Sequence, residues 1–123
     1  MRPLFHPAPE DITVEGILHA LSDPVRVNIF AQIAIADSPR TCSAFLEVSD
    51  KPIPKSTLSQ HFNVLRQAGL IHSERKGVEM HNSLRSADLD ERFRPLIDAI
   101  LVAHCAQEQR RKPQRPKRLK KAA

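Results

Sequence analysis

Lys55-Ser56-Thr57-Leu58-Ser59-Gln60-His61-Phe62-Asn63-Val64-Leu65-Arg66-Gln67-Ala68-Gly69-Leu70-Ile71, continued by His72-Ser73-Glu74-Arg75-Lys76-Gly77-Val78-Glu79-Met80-His81-Asn82-Ser83-Leu84-Arg85, is the stretch that decides the fold. Leu58, Phe62 and Leu65 recur at i, i+4 and i+7, which predicts a helix from about Lys55 to Ala68 with that face inward. Gly69 is its C-terminal stop. Leu70–Arg75 and Met80–Leu84 then read as two strands around Lys76-Gly77. The expectation is a mainly α fold with a small β-hairpin.

The outer face of that helix holds Ser56, Ser59, Gln60, Asn63 and Gln67, with no apolar residue and no acid. A solvated helix usually carries Glu and Lys there. Uncharged hydrogen-bonding side chains suit base edges, since Gln and Asn can pair bidentately with adenine. A helix that can enter a groove, followed by a hairpin with a basic tip, suits a reader of duplex DNA. Ser56, Ser59, Gln60 and Asn63 are the candidates for base edges. Lys55, Thr57 and His61 suit phosphates or the groove rim, because a helix N-terminus attracts phosphate. His61 lies beside the apolar stripe, where packing competes with contact. Arg66 suits a salt bridge or a phosphate better than a base. Arg75 and Lys76 suit the DNA backbone or minor groove, against the plainer reading of a charged hairpin tip.

Working outward, Asp23-Pro24 reads as N-cap and first-turn proline of a helix with Val25, Ile29 and Ile33 inward. Before it, Val14, Ile17, Leu18 and Leu21 fall on one helix face between Glu10 and Leu21. Asp37-Ser38-Pro39 ends the second helix, and Thr41 is placed to cap a short helix to about Val48. Ser49–Pro54 is a turn. After the hairpin, Asp88–Arg92 fits a short helical turn. Pro95 opens a long C-terminal helix to about Arg110, with Leu96, Ile97, Ile100, Leu101 and His104 as its stripe. Such a terminal helix commonly serves dimerisation. The chain therefore divides into an extended arm at 1–9 with Pro3, Pro7 and Pro9, a folded domain at 10–111 and a disordered basic tail at 112–123.

Composition bounds the rest. The chain has 123 residues, 41% of them hydrophobic, enough for one domain and its core. The longest apolar run, Ala99–Ala103, is far too short to span a bilayer, so no membrane role is expected. Nothing after Arg2 resembles a secretory signal, which points to the cytoplasm. Residues 110–123 carry eight of the 19 Lys/Arg and no acid, leaving 11 basic against 14 acidic groups in residues 1–109. The tail thus makes the net charge of +5, and attraction to DNA through it would be sequence-independent and salt-sensitive. With three glycines, no glycine-rich phosphate loop and no nucleophile–base–acid set, an enzyme is not expected.

These elements together resemble the ArsR/SmtB-type winged helix-turn-helix repressors. Ala20-Leu21-Ser22-Asp23-Pro24-Val25-Arg26 is similar to the family's signature entering its second helix. Lys55–Ile71 is similar to its recognition helix and exit, and Arg75-Lys76-Gly77 to its wing. The resemblance implies a winged helix-turn-helix with a long C-terminal dimerisation helix, acting as a homodimer on double-stranded operator DNA. Its effector is open. Ser49–Pro54 is longer and richer in proline than the family's usual turn. Where many members carry a Cys-x-Cys metal motif, Thr41-Cys42-Ser43-Ala44-Phe45 offers one thiol. Where others carry Asp-x-His, Asp98 is followed two residues on by Ile100, leaving His104 without that partner. A closed transition-metal site wants about four ligands, so no standard metal site and no cofactor are expected. His104 then reads as an interface histidine. Cys42 and Cys105 cannot build a disulfide framework. Their placement does resemble that of family members that sense persulfide or oxidants, against the alternative of buried, inert thiols. A winged helix that binds a protein partner is the reading from another class.

Overall fold

The structure, a computed structural model, describes residues 4–35, 40–41 and 53–111. A 3-10 turn at Pro9–Asp11 leads into α1 (Val14–Ala20), α2 (Pro24–Ile35), β1 (Arg40–Thr41), α3 (Lys55–Gln67), β2 (Ile71–Lys76), β3 (Glu79–Leu84), α4 (Ser86–Leu89) and α5 (Arg94–Arg111). The strands form an antiparallel sheet in the order β1-β3-β2. This is a mainly helical fold with a hairpin wing and a long C-terminal helix, as the sequence predicts.

The first two helices start where a side chain can satisfy free backbone N–H groups. Thr13 caps α1, its Oγ1 accepting from the Gly16 N–H at 3.0 Å. Asp23 caps α2, its Oδ1 accepting from the N–H groups of Val25 (2.8 Å) and Arg26 (3.3 Å). Arg26 then locks the two helices together: its Nε donates to the Ala20 carbonyl at 2.7 Å, at the end of α1. That contact gives the Asp23-Pro24-Val25-Arg26 signature a physical role.

α2 is the central helix. Val27, Ile29, Phe30 and Ile33 are buried on it, and it packs against α3, β3 and α5. Leu58, Phe62 and Leu65 of α3 complete this core from the other side, with Leu89, Phe93 and Ile97 closing it. Ile97 is the fully buried member of the expected α5 stripe, while Leu96, Ile100 and Leu101 pack partly buried beside it.

α3 ends in a tight reversal. The Leu70 N–H donates to the Leu65 carbonyl (3.1 Å) and the Gly69 N–H to the Arg66 carbonyl (3.0 Å), with Gly69 at φ +84°. This is the paired hydrogen-bond pattern of a glycine-terminated helix. A Cβ on Gly69 would lie 2.5 Å from Ile12 Cγ1. Glycine is therefore needed there for conformation and for space. β2 and β3 pair from Ile71↔Leu84 to Lys76↔Glu79, so the wing tip is Gly77-Val78, with Gly77 at φ +64°.

Three expectations change. α1 begins at Val14 rather than near Glu10, and its buried face is Ile17, Ala20 and Leu21. Val14 and Leu18 are 43% and 48% exposed. Leu18 sits about 100° round the helix from Ile17 and so falls at the edge of the buried arc. Arg40 and Thr41 add a strand to β3 that the sequence did not predict, opposite Asn82 and His81. The helix expected after Thr41 to about Val48, residues 49–52 of the expected turn at Ser49–Pro54 and the basic tail lie outside the described residues.

Candidate nucleic-acid interface

α3 and the wing bound one open groove of about 390 Å³, lined by Ser59, Gln60, Phe62, Asn63, Arg66, Arg75, Met80 and Leu4. Four sequence-predicted residues of α3 and one of the wing are thus brought to a common surface. The core periodicity of Leu58, Phe62 and Leu65 does this, because it turns Ser56, Ser59, Gln60, Asn63 and Gln67 outward, and all five are exposed.

Lys55, Ser56 and Thr57 occupy the first turn of α3 and are exposed. That turn has no acid and no side-chain cap; Pro54 precedes it. Its free N–H groups and the helix dipole therefore favour an anion. Arg75 and Lys76 are exposed at the end of β2.

Two of the candidates are not simple surface groups. Arg66 is only 8% exposed, and its Nη1 donates to Asn63 Oδ1 at 3.3 Å. It lies behind Asn63 and orients that amide from within. An amide oxygen has a second lone pair, so Asn63 can still accept from a base while held this way. His61 is half-buried on the α2 side, where its Nδ1 lies 3.4 Å from Arg26 Nη1. Because a guanidinium only donates, Nδ1 must be the unprotonated nitrogen. Burial pushes the His61 pKa below the usual histidine value, Asp23 opposes the shift and Arg26 adds to it. His61 packs towards α2 at the border of the exposed polar face of α3.

Leu4 and Met80 line the groove without a sequence signal that identified them. Met80 does so because it pairs with Arg75 across the hairpin. Leu4 does so because the N-terminal arm lies along β2, which a proline-rich composition does not reveal.

The remaining histidine and cysteine positions take other roles. His104 Nε2 lies 3.0 Å from Asn28 Oδ1, joining α5 to α2. Asp98 accepts from Arg94 Nε at 3.2 Å. Cys105 is exposed on α5, and Cys42 lies outside the described residues. Among the described residues, no cluster of three or more His, Cys, Asp or Glu could hold a metal ion. No helix among them is long and apolar enough to cross a membrane.

Comparison with known proteins agrees with this geometry. Residues 21–74, from the end of α1 into the wing, match the helix-turn-helix domain family. No curated protein matches the chain. Among solved structures, M. tuberculosis Rv0081 is 29% identical, covering 78% of this chain and 89% of its own at a TM-score of 0.56. The transcriptional repressor BigR from Xylella fastidiosa is 25% identical, covering 77% and 86% at 0.55. The ArsR family transcriptional regulator RHA00566, 20% identical, covers 90% and 99% at 0.53 and speaks to the fold alone. Helix order, the exposed polar face of α3, the wing and these likenesses converge: the chain has a winged helix-turn-helix fold, carries a helix-turn-helix domain and is similar to transcriptional regulators of the ArsR type.

Proposed function

We propose that the protein is a repressor that binds an imperfect inverted-repeat operator as a homodimer. The observation that carries this reading is the exposed face of α3: Ser56, Ser59, Gln60 and Asn63, uncharged and without an acid, beside a wing bearing Arg75 and Lys76. In this reading Gln60 and Asn63 contact base edges in the major groove, flanked by Ser56 and Ser59. Lys55, Thr57 and the first N–H groups of α3 hold a phosphate. Arg75 and Lys76 track the backbone beside the groove, and Arg66 acts through Asn63. Phosphate contacts set register, and base contacts select sequence.

The dimer brings two such helices to successive major grooves, about one helical turn or roughly 34 Å apart, or a small multiple of it. Apolar side chains that a second protomer would cover are present: Val14 and Leu18 on α1, and Val102, 71% exposed, on α5. The reading needs no metal and no catalytic step.

Hydroxyl-radical footprinting on DNA upstream of the coding sequence, with sedimentation of the free protein, tests it. Two protected half-sites spaced by whole helical turns and a dimer at micromolar concentration are expected. A monomer under those conditions contradicts the geometry. A protein with no affinity for any duplex, at any salt, points instead to a protein partner on the same face.

A further inference from the structure

The N-terminal arm crosses the body and reaches the groove beside α3 at Leu4. Arg92 Nη2 donates to the Pro9 carbonyl, Ile12 packs on Gly69, and Leu4 lines the groove beside Ser59 and Asn63. Between these points the arm is attached to the outer strand of the sheet through His6. The Ser73 backbone N–H, on the edge of β2 that faces away from β3, donates to His6 Nε2 at 3.0 Å. The His6 ring stacks on His72 of the same strand, with centroids 4.4 Å apart and planes 22° from parallel.

This contact tolerates one protonation state only. An imidazole nitrogen that accepts from an N–H carries a lone pair, so the proton of the neutral ring must sit on Nδ1. Protonating Nε2 would turn the acceptor into a donor facing another donor. The charged groups acting on His6 oppose that proton from every side: His72 of β2, Arg66 of α3 and Arg85 beyond β3 are all basic. Arg66 is 8% exposed and the Arg85 side chain 9%, so solvent screens neither well, though Asp88 pairs with Arg85 at 2.8 Å and offsets part of its charge. Burial is the largest influence holding the His6 pKa below its ordinary value, followed by those three groups, with a backbone hydrogen bond to Leu4 working the other way.

We propose that His6 is a proton-sensitive latch: with His6 neutral the N-terminal arm is held along β2 as a wall of the groove, and with His6 protonated the arm is released. Release also uncovers the edge of β2, which the arm otherwise occupies at Ser73. The consequence for DNA, an affinity that changes as the pH falls, rests on the function proposed above. The latch itself does not.

The test therefore uses the full chain without DNA. Amide hydrogen exchange at Ser73 and the ring resonances of His6 are followed by NMR from about pH 8 to about pH 5, the range in which histidines titrate. The same measurement is made on His6→Gln, whose side chain cannot be protonated there. In the wild type the Ser73 protection factor, corrected for the intrinsic pH dependence of exchange, falls about tenfold in step with protonation of His6, the scale of one lost hydrogen bond. In His6→Gln it is independent of pH. A wild-type protection factor that stays constant while His6 titrates overturns the proposal, as does the same fall in His6→Gln.

Discussion

Replacing Gly69 by alanine probes the joint that sets the reading helix against the wing. Two costs arise from the structure. At φ +84° an L-residue is in the left-handed region, which costs about 1–2 kcal/mol. The new Cβ also falls 2.5 Å from Ile12 Cγ1 and 2.7 Å from Cδ1. Ile12 is 3% exposed and has little room to turn away, and overpacking of this kind costs about 1–3 kcal/mol. Alanine returns about 0.4–1 kcal/mol by restricting the unfolded chain. The net expectation is a loss of about 2–4 kcal/mol, set against a total stability of about 5–15 kcal/mol for an ordinary domain. Thermal and urea denaturation followed by circular dichroism measure it, with Tm falling by roughly 10–25 °C. Ile12→Ala removes both clashing carbons. In that background Gly69→Ala should therefore cost less, with a favourable coupling of about 1–3 kcal/mol. A loss below about 1 kcal/mol for Gly69→Ala alone, or strict additivity with Ile12→Ala, would refute the steric account of this joint.

Other perturbations separate the roles assigned above. Gln60→Ala and Asn63→Ala should each weaken a specific duplex by about 1–3 kcal/mol, and equal weakening on a scrambled duplex would remove them from base reading. Gln60→Ala should leave Tm unchanged because its side chain is exposed, whereas Asn63→Ala should lower it slightly, because it removes an acceptor of the buried Arg66 guanidinium. Lys76→Ala should weaken both duplexes alike and reduce the salt slope by about one, as measured in a potassium chloride series. Arg26→Met should destabilise the fold by about 1.5–3 kcal/mol, the scale of a hydrogen bond from a charged group, since it frees the Ala20 carbonyl; an unchanged urea midpoint would contradict that role. The folded-state pKa values of His6 and His61 lie below the ordinary 6.5, so the unfolded chain takes up protons first. Their contribution to stability is whole above about pH 6.5 and is lost as the pH falls through the folded values, and the double variant His6→Gln, His61→Gln should flatten the urea midpoint over that range.

Much of this was readable before any coordinates. The capping of α2 by Asp23, the stop at Gly69 and the outward face of α3 follow from local chemistry and helical period, which act within a few residues. The strand β1 was not readable, because Arg40-Thr41 gains its partner from Asn82 and His81, far away in sequence. The outward turn of Val14 and Leu18 was missed because the start of α1 depends on the Thr13 cap, not on the apolar count alone. The exposure of Ser56, Ser59, Gln60 and Asn63 on one face of α3, and of Arg75 on the wing, follows from residue type and spacing. The burial of Arg66 does not, since a long side chain can reach inward from a position that looks like surface. Leu4 and His6 escaped for a deeper reason: the arm has no period, and its docking is set wholly by tertiary contacts with Ser73, His72 and Arg92.

The most direct test of the central claim is binding to the duplex immediately upstream of the coding sequence, beside a scrambled duplex of equal length, across a salt series and with the Gln60→Ala, Asn63→Ala double variant in parallel. A sequence-reading α3 predicts at least about a thousandfold tighter binding to the native duplex at one dimer per site, largely lost in the double variant. Weak and equally salt-dependent binding of both proteins to both duplexes would mean that charge alone holds the DNA, and would contradict a reading role for this face.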